Sequence, residues 1–242
     1  MADVFERAPK VELHLHIEGA IPVPAMWQLV HGYGDPQTPT LADLAARFEY
    51  RDFAHFIDTW QRMLPFIRTP ADWTFVASAV ARSLDEQHIV YAEASISPTD
   101  FRQHELSVAE IAMAVRRGLD AVEGTRVNLL VDLVRDTGPE WCGRTLEQVI
   151  EVAPEAGIVG ITIGGSEPAF PPGDYAAVYR RAAEAGLGRS AHAGEAAGPE
   201  SVWSALRDLG VERVGHGVRA VEDPALVDHL VVRQVPLEVC PT

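Results

Sequence analysis

Short β-forming runs alternate with capped helical stretches along almost the whole chain, and this alternation restricts the fold more than any other feature. The runs cover residues 11–16, 89–96, 127–133, 158–163, 189–192, 213–216 and 236–240. Several are apolar on both faces, as strands covered on both sides must be. The segments between them carry helix signals. Thr69-Pro70 and Asp223-Pro224 place a capping residue directly before a proline suited to the first helical turn. Ser107 and Glu110 have the spacing of a capping box. Gly186 and Gly210 stand where left-handed C-terminal caps belong. Strand–helix alternation of this kind predicts parallel strands joined by right-handed crossovers. No repeat, low-complexity tract or Gly/Ser linker interrupts the pattern, so residues 1–242 read as one domain.

The exception is 21–68, where aromatic residues sit in short helical patterns: Trp27, Phe48, Phe53, Phe56, Trp60 and Phe66. Two readings are compatible there, a satellite helical layer with its own small core and a lid over a pocket. Phe53, Phe56 and Trp60 are the first candidates for a pocket roof.

Composition excludes several classes of function. At 47% hydrophobic and 23% charged residues, the 242-residue chain has ample material for a core without disulfides. Its apolar runs fall well short of the ~20 residues that span a bilayer, so no membrane partner is expected. The first ten residues carry Asp3 and Glu6 and lack the apolar stretch of a secretory signal. Two cysteines, Cys142 and Cys240, suit a reducing, cytoplasmic setting. A net charge of −15, from 35 acidic against 20 basic side chains, opposes binding to nucleic acid. Nineteen of the twenty cations are arginine, and the lone lysine is Lys10.

Four segments at the C-terminal ends of expected strands carry the chemistry. His14-Leu15-His16 projects two imidazoles to one face of a strand, which is half of a zinc or iron site or a pair of hydrogen-bonded core histidines. Ser190-Ala191-His192-Ala193-Gly194-Glu195 offers a further nitrogen ligand followed by an acid, or a buried histidine and a loop glutamate. Gly215-His216-Gly217 brackets a histidine with glycines, as a close ligand approach or a tight turn requires. Gly164-Gly165-Ser166-Glu167 exposes backbone N–H groups or makes a turn, and lacks the Gly-Lys-Ser/Thr of a phosphate loop. Each has its bland reading. Together they place four of nine histidines, with Glu167 and Glu195, on strand ends that a parallel barrel gathers on one face. Without a lysine after Lys10 no carbamylated lysine can bridge two metals, so one metal is expected. No G-x-S-x-G elbow points to a serine nucleophile.

These segments, with the stretch from Lys10 to Ala20 and the end from Leu237 to Thr242, resemble the adenosine/adenine deaminase family in content, order and rough spacing, from about Pro9 onward. The resemblance implies a TIM-like (β/α)8 barrel with a helical insertion after the first strand. It implies one Zn2+ held by His14, His16 and His192, and hydrolytic removal of an exocyclic amine from an adenine-containing purine, releasing ammonia. Glu195 then protonates the ring nitrogen beside the attacked carbon, and His216 orients the attacking hydroxide. Gly165 offers its N–H to the purine, and His16 and Glu18 lie on the substrate side. The physical chemistry agrees. Zinc lowers the pKa of bound water to about 7, and a carboxyl kept neutral in a dry pocket is a suitable proton donor.

Two departures from the family pattern stand out. Where adenosine-specific members commonly have aspartate, this chain has Glu18 in Ile17-Glu18-Gly19, which resembles branches acting on adenine or a modified nucleoside. The family's eighth strand ends in an Asp-Asp pair, one a zinc ligand and one touching substrate, and the sequence ends after what counts as strand seven. Residues 1–242 alone are therefore expected to be a weak or inactive enzyme. Two alternatives follow: another His-x-His metal-dependent hydrolase, such as a phosphoesterase, or a purine-binding protein without turnover.

Overall fold

The computed structural model describes residues 2–240; Pro241 and Thr242, the end of the C-terminal motif, lie outside the described residues, as does the side chain of Phe53. Packing groups the chain into two compact units, Met1–Ala94 with Asp100–Val127, and Ser95–Thr99 with Asn128–Thr242.

In the first unit the elements are α1 (Ala2–Arg7), β1 (Lys10–His16), α2 (Val23–Gly32), α3 (Leu41–Arg47), α4 (Phe53–Met63), α5 (Pro70–Glu86), β2 (Ile89–Ile96), α6 (Val108–Asp120) and the start of β3 (Arg126–Asp132). The strand order is β1-β2-β3. Both expected caps form here: Thr69 accepts the Asp72 N–H while Asp72 bonds back to the Thr69 N–H, and Ser107 and Glu110 do the same. The core is a helix pair whose buried faces repeat at helical spacing, Trp73, Val76, Val80 and Leu84 on α5 and Ile111, Val115 and Leu119 on α6. The two approach closely because Gly118 has no side chain. A Cβ there would lie 2.3 Å from the Thr74 carbonyl oxygen. The Thr74 hydroxyl donates across the gap to the Ala114 carbonyl at 3.0 Å.

The aromatic segment after β1 forms α2, α3, α4 and a 3-10 turn at Leu64–Phe66, as the helical patterns predict. Two of its caps escaped the sequence reading. Thr40 forms a capping box with Asp43, and Asp52 caps α4 through the His55 N–H.

In the second unit β3 continues, followed by α7 (Pro139–Ala156), β4 (Ile158–Thr162), α8 (Ala176–Glu184), β5 (Gly188–Ala193), α9 (Pro199–Ser204), β6 (Arg213–His216), α10 (Pro224–Arg233) and β7 (Leu237–Glu238). The order β3-β4-β5-β6-β7 follows the chain, and each neighbouring pair is parallel. Leu129, Val131, Ile161, Ala191 and Val214 are fully buried, as two-sided coverage requires. Strand ends differ from expectation by a residue or two. The last strand is the shortest because its pairing with β6 covers Leu237 and Glu238 alone. Gly210 takes the left-handed conformation expected of a cap, with φ of 61°. Among the described residues no helix is long and apolar enough to cross a membrane.

Candidate active site

At the end of β1 the i, i+2 spacing sets His14 and His16 on the same face, their rings edge to face with centroids 5.6 Å apart. The next residues turn sharply. Glu18 becomes 5% exposed, and Gly19 lies so close to Trp60 that a Cβ would stand 2.4 Å from its ring. That contact seats the Trp60 indole against His16, with centroids 5.8 Å apart. Phe56 packs on Trp60 and on Tyr50, at 6.2 and 5.2 Å. Of the insertion's aromatic candidates, Trp60 reaches the histidine strand and Phe56 belongs to the cluster behind it.

In the second unit β5 and β6 run in register, His192 opposite Gly215 and Ala193 opposite His216. The two imidazoles are 5.1 Å apart between centroids. His192 is 9% exposed, and its Nδ1 lies 3.3 Å from the Thr162 hydroxyl. An outer contact of this sort fixes the tautomer and the ring plane of a ligating histidine. His216 has φ of +64°, a left-handed conformation that is strained for a residue with a side chain. Its Nε2 lies 3.4 Å from Glu195 Oε2. The Glu195 side chain keeps 35% of its exposure, so the dry carboxyl expected from sequence is not what the structure shows.

Gly165 has φ of +96°, and a Cβ there would fall 2.0 Å from an Asp136 carboxylate oxygen. The left-handed backbone favours glycine, and a Cβ would have to displace the Asp136 carboxylate. Its neighbours are pinned: the Gly164 N–H donates to Asp132 at 2.7 Å and the Ser166 N–H to Asp136 at 2.8 Å.

Sequence reasoning missed the residue beneath this face. Arg135 is fully buried, and its guanidinium donates to four carbonyls: Gly164 at 3.1 Å, Phe170 at 3.0 Å, Ile163 at 3.1 Å and His192 at 2.6 Å. It ties the ends of β4 and β5 together. The Tyr175 hydroxyl donates to the Arg135 carbonyl at 2.5 Å, and burial pushes that phenol up to about 12. Val134 enters this turn with φ of +51°, an outlier for a β-branched residue. The alternation of charge in Asp132-Leu133-Val134-Arg135-Asp136 was the available signal, but spacing does not reveal that an arginine is buried.

Glu167, which the sequence already placed on this face, is a second charge held inside. At 4% exposure its carboxylate accepts the N–H groups of Gly194 at 2.5 Å, Glu195 at 3.2 Å, Ala196 at 2.8 Å and Ala197 at 2.9 Å. Burial alone would raise its pKa. The Ala197 N–H, the Ser201 hydroxyl and the N–H groups of Ala196 and Gly194 outweigh that and hold it below the usual carboxylate value.

The donors suit a metal in kind. Two histidines at the end of β1 and a third at the end of β5, the last oriented by a hydroxyl, are the neutral nitrogen ligands that zinc accepts.

The chain matches the family model described as Adenosine deaminase over residues 9–242. It is 36% identical over 240 residues to an aminodeoxyfutalosine deaminase of Streptomyces avermitilis, covering 97% of this chain and 67% of that one. With an adenine deaminase of Bordetella parapertussis it shares 32% over 245 residues, covering 100% and 77%. The solved adenine deaminase of Arthrobacter aurescens superimposes with a TM-score of 0.86 at 32% identity, covering 96% of this chain and 72% of that one. The chain thus spans about two thirds of the length of the Streptomyces relatives it matches. Its seven strands and their helices have the TIM-like α/β fold of these deaminases, with the helical insertion after β1. Matched from Pro9 onward and similar in fold, the chain belongs to the adenosine deaminase family.

Proposed function

We propose that the protein is a zinc-dependent aminohydrolase that removes the exocyclic amine of adenine or an adenine nucleoside as ammonia. The observation that carries this reading is the pairing of His216 with Glu195 at 3.4 Å beside His192, at the end of two parallel strands. His14, His16 and His192 would hold the ion, which when bound supplies a Lewis acid and a water acidified to a pKa of about 7. Glu195 gives a proton to the ring nitrogen next to the attacked carbon, offsetting the charge that builds there as aromaticity is lost. His216, 3.4 Å from that carboxyl, orients the attacking hydroxide. Gly165 presents its N–H to the purine from a backbone conformation open to glycine. Trp60, lying against His16, closes the substrate side. Relatives named for adenine and for adenosine support an adenine-type ring. Glu18 stands where the resemblance places the group beyond that ring.

The test is ammonia release by the complete gene product, loaded with zinc, from adenine, adenosine and a 5′-modified adenine nucleoside, with phosphate release from phosphoesters in parallel. Ammonia from one of the purines, sharply reduced but measurable in Glu195→Gln, is the expected result. Phosphate release with no ammonia would replace this reading with the phosphoesterase alternative. Purine binding without turnover would replace it with that of a binding protein. Zinc content near one per chain, lost together in His14→Ala, His16→Ala and His192→Ala, checks the ligand assignment.

A further inference from the structure

Four consecutive backbone N–H groups, those of residues 194 to 197, converge on the Glu167 carboxylate. Such a concave run of N–H donors is ordinarily an anion site, and here a side chain of the chain itself fills it. The second of the four donors belongs to Glu195. We infer that Glu167 is a positioning residue for the reaction, acting through Glu195, whose direction it sets; this rests on the reading of Glu195 as the proton donor.

The geometry supports that role in three ways. Glu167 is 4% exposed, so its negative charge is kept in the fold by those donors rather than by water. The turn it fixes starts at a glycine, required because Gly194 has φ of +70° and a Cβ there would meet Val202 at 2.6 Å, and a glycine's backbone freedom leaves the order of the turn to the clamp. Glu167 is itself held from below. Asp132 bonds the Gly164 N–H, Arg135 its carbonyl, and Asp136 the Ser166 N–H, so the end of β4 is pinned at two of the three residues before Glu167. A relay of side chains runs from the end of β3 through the end of β4 to the acid after β5.

Isosteric Glu167→Gln keeps the shape but replaces one acceptor oxygen with an NH2 group that faces N–H donors. The turn then shifts, and a general acid displaced by a fraction of an ångström loses much of its contribution. In the complete gene product the expected result is a fall in kcat of about ten- to a hundredfold, with KM within about threefold, since substrate contacts are untouched. Zinc content stays the same. Glu167→Asp keeps the charge with a shorter reach and should retain more kcat than the glutamine variant; packing alone would favour the glutamine. On a Glu195→Gln background, Glu167→Gln should change the residual rate by less than about twofold, because the group it positions is already gone. Full kcat in Glu167→Gln, or an undiminished loss on the Glu195→Gln background, would overturn the inference. Full activity in Glu195→Gln itself would overturn instead the assignment of the acid. Should Glu167→Gln fail to fold, the aspartate variant and its double with Glu195→Gln carry the same test.

Discussion

Replacing Arg135 with lysine keeps the charge and removes the planar fork, and the structure says what that costs. The guanidinium serves four carbonyls from three nitrogens. Two of them have a backbone donor as well: Ile163 accepts the His192 N–H at 3.1 Å, and Gly164 the Arg135 N–H at 3.0 Å. The loss therefore falls on the Phe170 and His192 carbonyls, which one ammonium on a shorter stem cannot serve together. Losing the donor of one buried carbonyl costs about 1–3 kcal/mol, so Arg135→Lys should lose about 1–3 kcal/mol. That is a large share of the roughly 5–15 kcal/mol by which domains are stable. Urea unfolding of the two proteins, followed by tryptophan fluorescence, reads the difference as a lower midpoint. Arg181→Lys is the control: its ion pair with Glu147 is exposed, and its midpoint should hardly move. A loss in Arg135→Lys of less than about 1 kcal/mol would refute the claim that the fork holds the ends of β4 and β5.

Other outcomes follow from single observations. Gly165→Ala forces a side chain into a left-handed backbone and onto Asp136, so thermal unfolding should show a loss of about 1–3 kcal/mol. Glu167 has a folded pKa below its ordinary 4.5, so its stabilisation is complete above that pH and fades as pH falls through the lower folded value. The gap in melting temperature between wild type and Glu167→Gln should accordingly be full at neutral pH and shrink in acid; a gap constant to pH 3 would contradict the clamp. Burial pushes the Cys142 thiol up while Cys240 is exposed, so of the two, Cys240 should react quickly with a thiol reagent and Cys142 only on unfolding. Removing the Thr69 hydroxyl, as in Thr69→Ala, should cost about 1 kcal/mol at the start of α5, measured by urea unfolding.

Local features were legible in the sequence because they act over a few residues. Thr69, Ser107 and Asp223 cap the helices they were expected to cap, since a side-chain oxygen and an N–H two or three residues on suffice. His14 and His16 share a face because a strand has a period of two, and Gly165 takes the backbone angle that only glycine accepts readily. Trp60 was one of three equivalent aromatics until Gly19 showed which ring the end of β1 makes room for.

By itself, the order of short strands and capped helices determined the fold class, and the histidine, glycine and glutamate segments determined the family. Periodicity and local backbone preference are written in neighbouring residues. Only tertiary structure decided that Arg135 and Glu167 lie buried beneath the site, and that Glu195 stays partly wet. A charged side chain enters the interior when carbonyls or N–H groups from other strands surround it, and those partners lie 27 to 57 residues away along the chain. Nothing local to residue 135 or 167 records their arrival.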